Sequence, residues 1–114
     1  MYQIYHNPQC KKSREGLKYL ENKGLNFQIK KYLVDGISPE ELKKIFVMLD
    51  KKPLEMVRKQ ESDFKNNYKG KSFSDDEWVS IISKNLKLLQ RPIIVHGYKA
   101  VLANPPENLD DLIK

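Results

Sequence analysis

The chain has a single cysteine, two histidines and three arginines in 114 residues. One thiol cannot close a disulfide within the chain, so the fold does not depend on oxidation, and a reducing cytosol is the expected setting. One cysteine and two histidines at these separations match no ligand spacing, so no metal site is expected. No window nears the roughly 18 apolar residues of a membrane span. A lysine-rich helix directly after one short apolar strand is also not the layout of a signal peptide. Internal repeats and low-complexity stretches are missing too. What remains is a soluble, cytoplasmic chain of one domain over 1–114, large enough at 13.4 kDa to bury a core without staples.

Charge is plentiful but mixed. The net charge is +6 and the pI is near 9.3. Most of the 21 basic residues are lysines interspersed with acids, as in Glu40-Glu41 before Lys43-Lys44. That is the pattern of a solvated surface, and no nucleic-acid partner is expected.

The apolar pattern predicts β-α-β, three helices, then β-β-α. Tyr2 to Tyr5 is a short strand stopped by Asn7-Pro8, and a helix from Cys10 to about Lys23 puts Leu17 and Leu20 on one face before Gly24 caps it. Phe27 and Ile29 alternate with polar neighbours in a strand running to about Leu33. Ser38-Pro39-Glu40-Glu41 and Ser74-Asp75-Asp76-Glu77 are capping boxes that open helices, with a short helix after Pro53 between them. The second box introduces Trp78, Ile81, Ile82, Leu86 and Leu89 as a core face. Lys59 to Lys71 is polar and is expected to be a mobile loop, either a connection or a lid. Ile93-Ile94-Val95 and Ala100 to Ala103 form a hairpin around His96-Gly97-Tyr98, and a last helix carries Leu109, Leu112 and Ile113.

Cys10 stands at the first strand-to-helix junction. There, unpaired backbone N–H groups and the positive end of the helix dipole point at its sulfur. Cysteines in such settings have pKa values lowered from about 8.5 to between roughly 3.5 and 7.5. Lys11 and Lys12 add nearby charge, and Arg14, four residues on, is on the face from which a guanidinium reaches an anion at the helix end. Ser13 completes Cys-x-x-Ser, a hydroxyl where a second thiol would stand. His6 either exchanges a proton with Cys10, donates to the same anion, or is a turn residue. His96 is expected to be structural. The helix start is thus suited to act as nucleophile and anion cradle together.

The stretch "YHNPQCKKSR", with "RPI" some eighty residues later, resembles the glutaredoxin-coupled arsenate reductases (ArsC-type) and the related Spx-type regulators. The resemblance spans essentially the whole chain. It implies an α/β thioredoxin-like fold with a helical insertion between the second and third strands, about residues 38–90. It also implies an active-site loop of Asn7, Pro8, Lys11, Lys12 and Ser13, and a cis-proline at Pro92 facing the cysteine. The activity implied is reduction of arsenate to arsenite. The Cys10 thiolate attacks the oxyanion, glutathione displaces the adduct, and glutaredoxin resolves the mixed disulfide, with no bound cofactor. His6 matches the histidine that tunes the nucleophile, and Arg58 and Arg91 match two arginines of an oxyanion-binding triad.

The chain departs from that pattern at Ala103-Asn104-Pro105, where arsenate reductases carry Cys-Arg-Pro. Asn104 donates hydrogen bonds without charge, so one cationic contact to the oxyanion is missing. Spx-type regulators sense oxidation through Cys-x-x-Cys, which Ser13 excludes. The expectation is therefore a monomeric, single-cysteine reductase using glutathione or another small thiol, with a glutaredoxin as partner. Two alternatives are an adaptor that binds a protein partner through the basic helical insertion, and a general glutaredoxin-like reductase of mixed disulfides.

Overall fold

The computed structural model describes residues 1–113. Along the chain the elements are β1 (Tyr2–Tyr5), α1 (Lys11–Asn22), β2 (Phe27–Lys30), α2 (Tyr32–Asp35), α3 (Pro39–Leu49), α4 (Ser62–Asn67), α5 (Asp75–Lys84), β3 (Ile93–His96), β4 (Lys99–Leu102) and α6 (Asp110–Ile113). Short 3₁₀ turns cover Pro53–Met56, Leu86–Leu88 and Pro106–Leu109. Two units emerge: Met1–Asp35 together with the chain from Arg91 onward, and Gly36–Gln90.

The first unit is built on a four-stranded sheet of order β2-β1-β3-β4. β1 runs parallel to β2 and antiparallel to β3, and β3 and β4 form the antiparallel hairpin expected from the sequence. Ile4 sits opposite both Ile29 and Ile94, and β-branched side chains suit this pleated surface. Tyr2, Ile4, Leu20 of α1, Ile94, Ala103, Leu109 and Leu112 form one buried cluster, with Leu17 and Phe27 packed at its margin. The 3.6-residue period of α1 is what brings Leu17 and Leu20 down onto the sheet. Gly24 takes a φ of +70° just past α1, a conformation that a side chain would strain. β2 ends at Lys30, short of the expected Leu33. The N–H groups of Val34 and Asp35 both turn back to the Lys31 carbonyl, making the short helix α2.

The second unit is helical, and α3 packs on α5; Leu42, Ile45, Phe46 and Leu49 of α3 and Trp78, Val79 and Ile82 of α5 are buried. Ser38 Oγ accepts from the Glu41 N–H at 3.1 Å. At the second box Ser74 and Glu77 bond reciprocally, at 3.1 and 2.9 Å. Trp78 and Ile82 are buried as expected, whereas Ile81 and Leu86 are half-exposed, and Val79 and Leu88 take the interior places. The stretch expected as a loop, Lys59 to Lys71, contains helix α4. Its Phe64 is buried and stacks near Trp78, with ring centroids 6.3 Å apart. That one apolar anchor orders a segment whose composition is otherwise polar. Among the described residues, no helix is long and apolar enough to cross a membrane.

Candidate active site

The loop leaving β1 is shaped by its own polar groups. Asn7 Oδ1 accepts from the Gln9 N–H at 3.1 Å, and the Asn7 carbonyl accepts from the Cys10 N–H at 3.0 Å, closing a tight turn over Pro8. The Cys10 carbonyl then receives the Arg14 N–H at 3.0 Å, the first bond of α1. Cys10 is therefore the residue that caps the helix, in an extended conformation (φ −96°, ψ 123°), where serine or aspartate usually sits. As a neutral thiol it makes no capping hydrogen bond. The thiolate is different. Burial alone would push the Cys10 pKa up, but the backbone N–H of Ser13, the hydrogen bond and charge of the Arg91 guanidinium, and the backbone N–H of Lys12 together hold it below the ordinary thiol value. A negative sulfur thus takes over the capping role, satisfying donors that the helix leaves open.

Ser13 is fully buried beneath this turn. Its hydroxyl oxygen accepts from the Asn7 N–H at 2.9 Å and lies 2.7 Å from His6 Nδ1. The hydroxyl is thus held by the loop that carries the cysteine. His6 is buried with it. Burial, followed by the charges of Lys31 and Arg14, lowers its pKa and outweighs the Ser13 hydrogen bond. The neutral imidazole is therefore the favoured form of His6, held against Ser13 Oγ.

The cations divide. Arg91 favours the Cys10 thiolate. Arg14 is exposed and directs Nη1 to the Pro8 carbonyl at 3.0 Å, bracing the loop. Lys11 and Lys12 are exposed as well, and Lys11 pairs loosely with Glu15 at 4.0 Å, so it is the Lys12 backbone, and not the lysine charges, that acts on the thiol. Arg58 belongs to the helical unit, where its guanidinium pairs with Glu61 at 3.4 Å. Among the described residues, no group of three or more His, Cys, Asp or Glu could hold a metal ion.

Pro92 follows a cis peptide bond after Arg91, and its carbonyl accepts from the Ala103 N–H at 2.9 Å. A Cβ on Gly16 of α1 would stand 2.5 Å from Pro92 Cγ and 3.5 Å from the Ala103 carbonyl oxygen. The helix that carries Cys10 at its start thus rests directly on the segment that carries Arg91.

A sequence model of the ArsC family matches residues 5–112. The chain belongs to the ArsC family. An arsenate reductase of Haemophilus influenzae is 38% identical over 112 residues, covering 96% of this chain and 97% of that one. An arsenate reductase of Neisseria meningitidis is 32% identical over 112 residues, with 96% of each chain covered. Among solved structures, an arsenate reductase from Vibrio cholerae superposes with a TM-score of 0.91 at 39% identity, over 96% of this chain and 95% of that one. The fold is accordingly an α/β thioredoxin-like one, and the ArsC family is one of oxidoreductases.

Within this ArsC-family framework, Asn104 is half-buried just after β4, its backbone carbonyl 3.4 Å from Asn108 Nδ2. His96 stacks on Tyr2 at 4.0 Å between ring centroids and 8° between planes, the structural role expected of it. Sequence reasoning missed Gly16 and the buried hydroxyl of Ser13. A glycine inside a helical pattern was the available signal for the first, since it costs about 1 kcal/mol relative to alanine unless packing needs it.

Proposed function

We propose that the protein is a thiol-dependent reductase of arsenate with Cys10 as its nucleophile and a glutathione-type thiol, regenerated by a glutaredoxin, as its reductant. The observation that carries this reading is the place of Cys10 as the capping residue at the start of α1, where the Ser13 N–H, Arg91 and the Lys12 N–H favour its thiolate against the effect of burial. Donors that stabilise a thiolate at the start of α1 also suit a tetrahedral oxyanion there, and the planar fork of Arg91 matches two of its oxygens. The thiolate attacks arsenic, and one arsenate oxygen leaves as water after protonation. Glutathione then bonds to the Cys10 sulfur as the arsenic–sulfur bond breaks, and the electron pair of that bond reduces arsenic(V) to arsenic(III). Glutaredoxin takes the glutathione from the mixed disulfide and restores the thiol.

The test is arsenate-dependent NADPH oxidation in a mixture of this protein, glutathione, glutaredoxin and glutathione reductase, with Cys10→Ser as control. Turnover that disappears in the control supports the reading, and equal turnover in both proteins removes Cys10 from it. One observation favours a second reading, reduction of mixed disulfides. Asn104 supplies no charge where the resemblance to arsenate reductases calls for an arginine, and a disulfide substrate has no need of that charge. Activity on a glutathionylated model peptide without activity on arsenate would select it.

A further inference from the structure

The helical unit contains a depression of about 500 Å³ that the chemistry at Cys10 does not use. Its apolar floor is formed by Leu54, Phe64, Tyr68 and Trp78. Leu54 stays 40% exposed despite its size. The aromatic rings below it already pack on one another: Trp78 meets Phe64 at 6.3 Å, Tyr68 at 6.0 Å and Phe73 at 5.0 Å. The volume of the depression lies within the range of pockets that enclose a bulky apolar group.

The rim is cationic. Lys59, Lys65, Lys69 and Lys71 line it, all exposed, and none forms an ion pair among the described residues. Glu61 is paired with Arg58 at 3.4 Å, and Asp63, which accepts from Asn85 Nδ2 at 2.7 Å, keeps its charge. Four lysines against that one free carboxylate leave the edge with an excess of positive charge. Lysines are compact charges on flexible stems, and four of them set around an apolar centre can meet carboxylates spread on either side of one apolar side chain. An apolar centre inside a charged rim is also the anatomy of a protein contact.

We propose that this lysine-rimmed pocket docks an acidic segment of a partner protein, seated by one apolar side chain of that segment. The carboxylates steer the approach and hold the register, while the apolar side chain covers Leu54 and supplies the contact that persists. The site is independent of arsenate chemistry, and its failure would leave that reading untouched.

The experiment titrates the full chain with a blocked peptide, Glu-Glu-Leu-Phe-Glu-Glu, followed by calorimetry and by the emission of Trp78, the only tryptophan of the chain. Saturable binding with a change in emission is expected. It should weaken about tenfold when Lys65→Glu and Lys69→Glu are combined, as expected for a steering rim, and weaken again at high salt. Replacing Leu-Phe by Ala-Ala in the peptide should abolish it. The pair Lys59→Glu and Lys71→Glu serves as a second variant should the first lose its helical circular dichroism. Neither heat nor emission change at about 1 mM peptide, weaker than any useful docking, would overturn the proposal. So would equal binding of the Ala-Ala peptide, or tighter binding of an oligothymidylate to the same lysines.

Discussion

His6 Nδ1 and Ser13 Oγ stand 2.7 Å apart in a contact closed to solvent, and the same hydroxyl receives the Asn7 N–H at 2.9 Å. Seven residues of chain are thereby folded back on one oxygen, and the turn that presents Cys10 depends on it. Ser13→Ala leaves an imidazole nitrogen and a backbone N–H buried without that partner. Unsatisfied buried groups cost about 1 to 3 kcal/mol, and a loss of that size is expected as a lower urea midpoint with an unchanged slope.

The same imidazole makes stability depend on pH. Burial, with the charges of Lys31 and Arg14, places the His6 pKa below the ordinary 6.5 in the folded chain. Between the two values the unfolded chain binds more protons, so stability rises with pH. The contribution of neutral His6 is complete above pH 6.5 and is lost as pH falls from there through the folded value. Urea midpoints measured from pH 8 down to pH 5 should fall in the parent protein, and His6→Asn should flatten that part of the curve.

At Cys10 the direction is also downward, against its burial, because the Ser13 N–H, Arg91 and the Lys12 N–H favour the thiolate. Alkylation by iodoacetamide should therefore have its midpoint below the ordinary thiol value. Arg91→Gln removes the guanidinium charge and is expected to move the midpoint up and slow the reaction at neutral pH. Lys11→Gln should leave the profile where it is, since that side chain is exposed and faces Glu15. Equal effects of the two substitutions would return the cause to diffuse positive charge.

Gly16 tests how close α1 must come to Pro92. Alanine is the better helix former by about 1 kcal/mol, yet its methyl group would lie 2.5 Å from Pro92 Cγ. Overpacking of this kind costs typically about 1 to 3 kcal/mol, so Gly16→Ala should destabilise on balance. The helix that carries Cys10 should also shift against the segment that carries Arg91. A lower melting temperature together with an upward move of the Cys10 alkylation midpoint is the expected pair of results. Glu15→Ala, on the exposed face, should produce neither.

Local chemistry made part of this legible in advance. Ser74 and Glu77 announce a helix start three residues apart, Ile93-Ile94-Val95 announces a buried strand, and Cys10 after Asn7-Pro8 announces a thiol at a helix end, because each signal is complete within a few residues. Gly16 is different: its reason is Pro92, 76 positions away, and no period along α1 contains it. Ser13 was legible only as the last residue of Cys-x-x-Ser, and its bonds to His6 and Asn7 exist only once the turn is closed over it. Helix α4 was hidden because one residue, Phe64, supplies the burial, too little to register as a pattern. Helix α2 was hidden because Tyr32 and Leu33 extend the apolar run of β2, until the Lys31 carbonyl captured two following N–H groups. For Arg58, the pairing with Glu61 is an i, i+3 contact that becomes a constraint only once that segment is wound.

Asn104 is where substrate strength can be read directly. If Cys10 reduces arsenate, the oxyanion there meets a neutral amide in place of a guanidinium. A charge-assisted hydrogen bond contributes about 1.5 to 3 kcal/mol against about 1 for a neutral one, and about 1.4 kcal/mol is a factor of ten in binding. Asn104→Arg is therefore expected to lower the Michaelis constant for arsenate about tenfold, with little change in turnover number, because the added contact exists before and during attack. The Cys10 alkylation midpoint should fall in the same variant if the new guanidinium reaches the sulfur. A lower midpoint with an unchanged Michaelis constant would mean that position 104 faces the thiol and not the oxyanion, and would count toward a disulfide substrate.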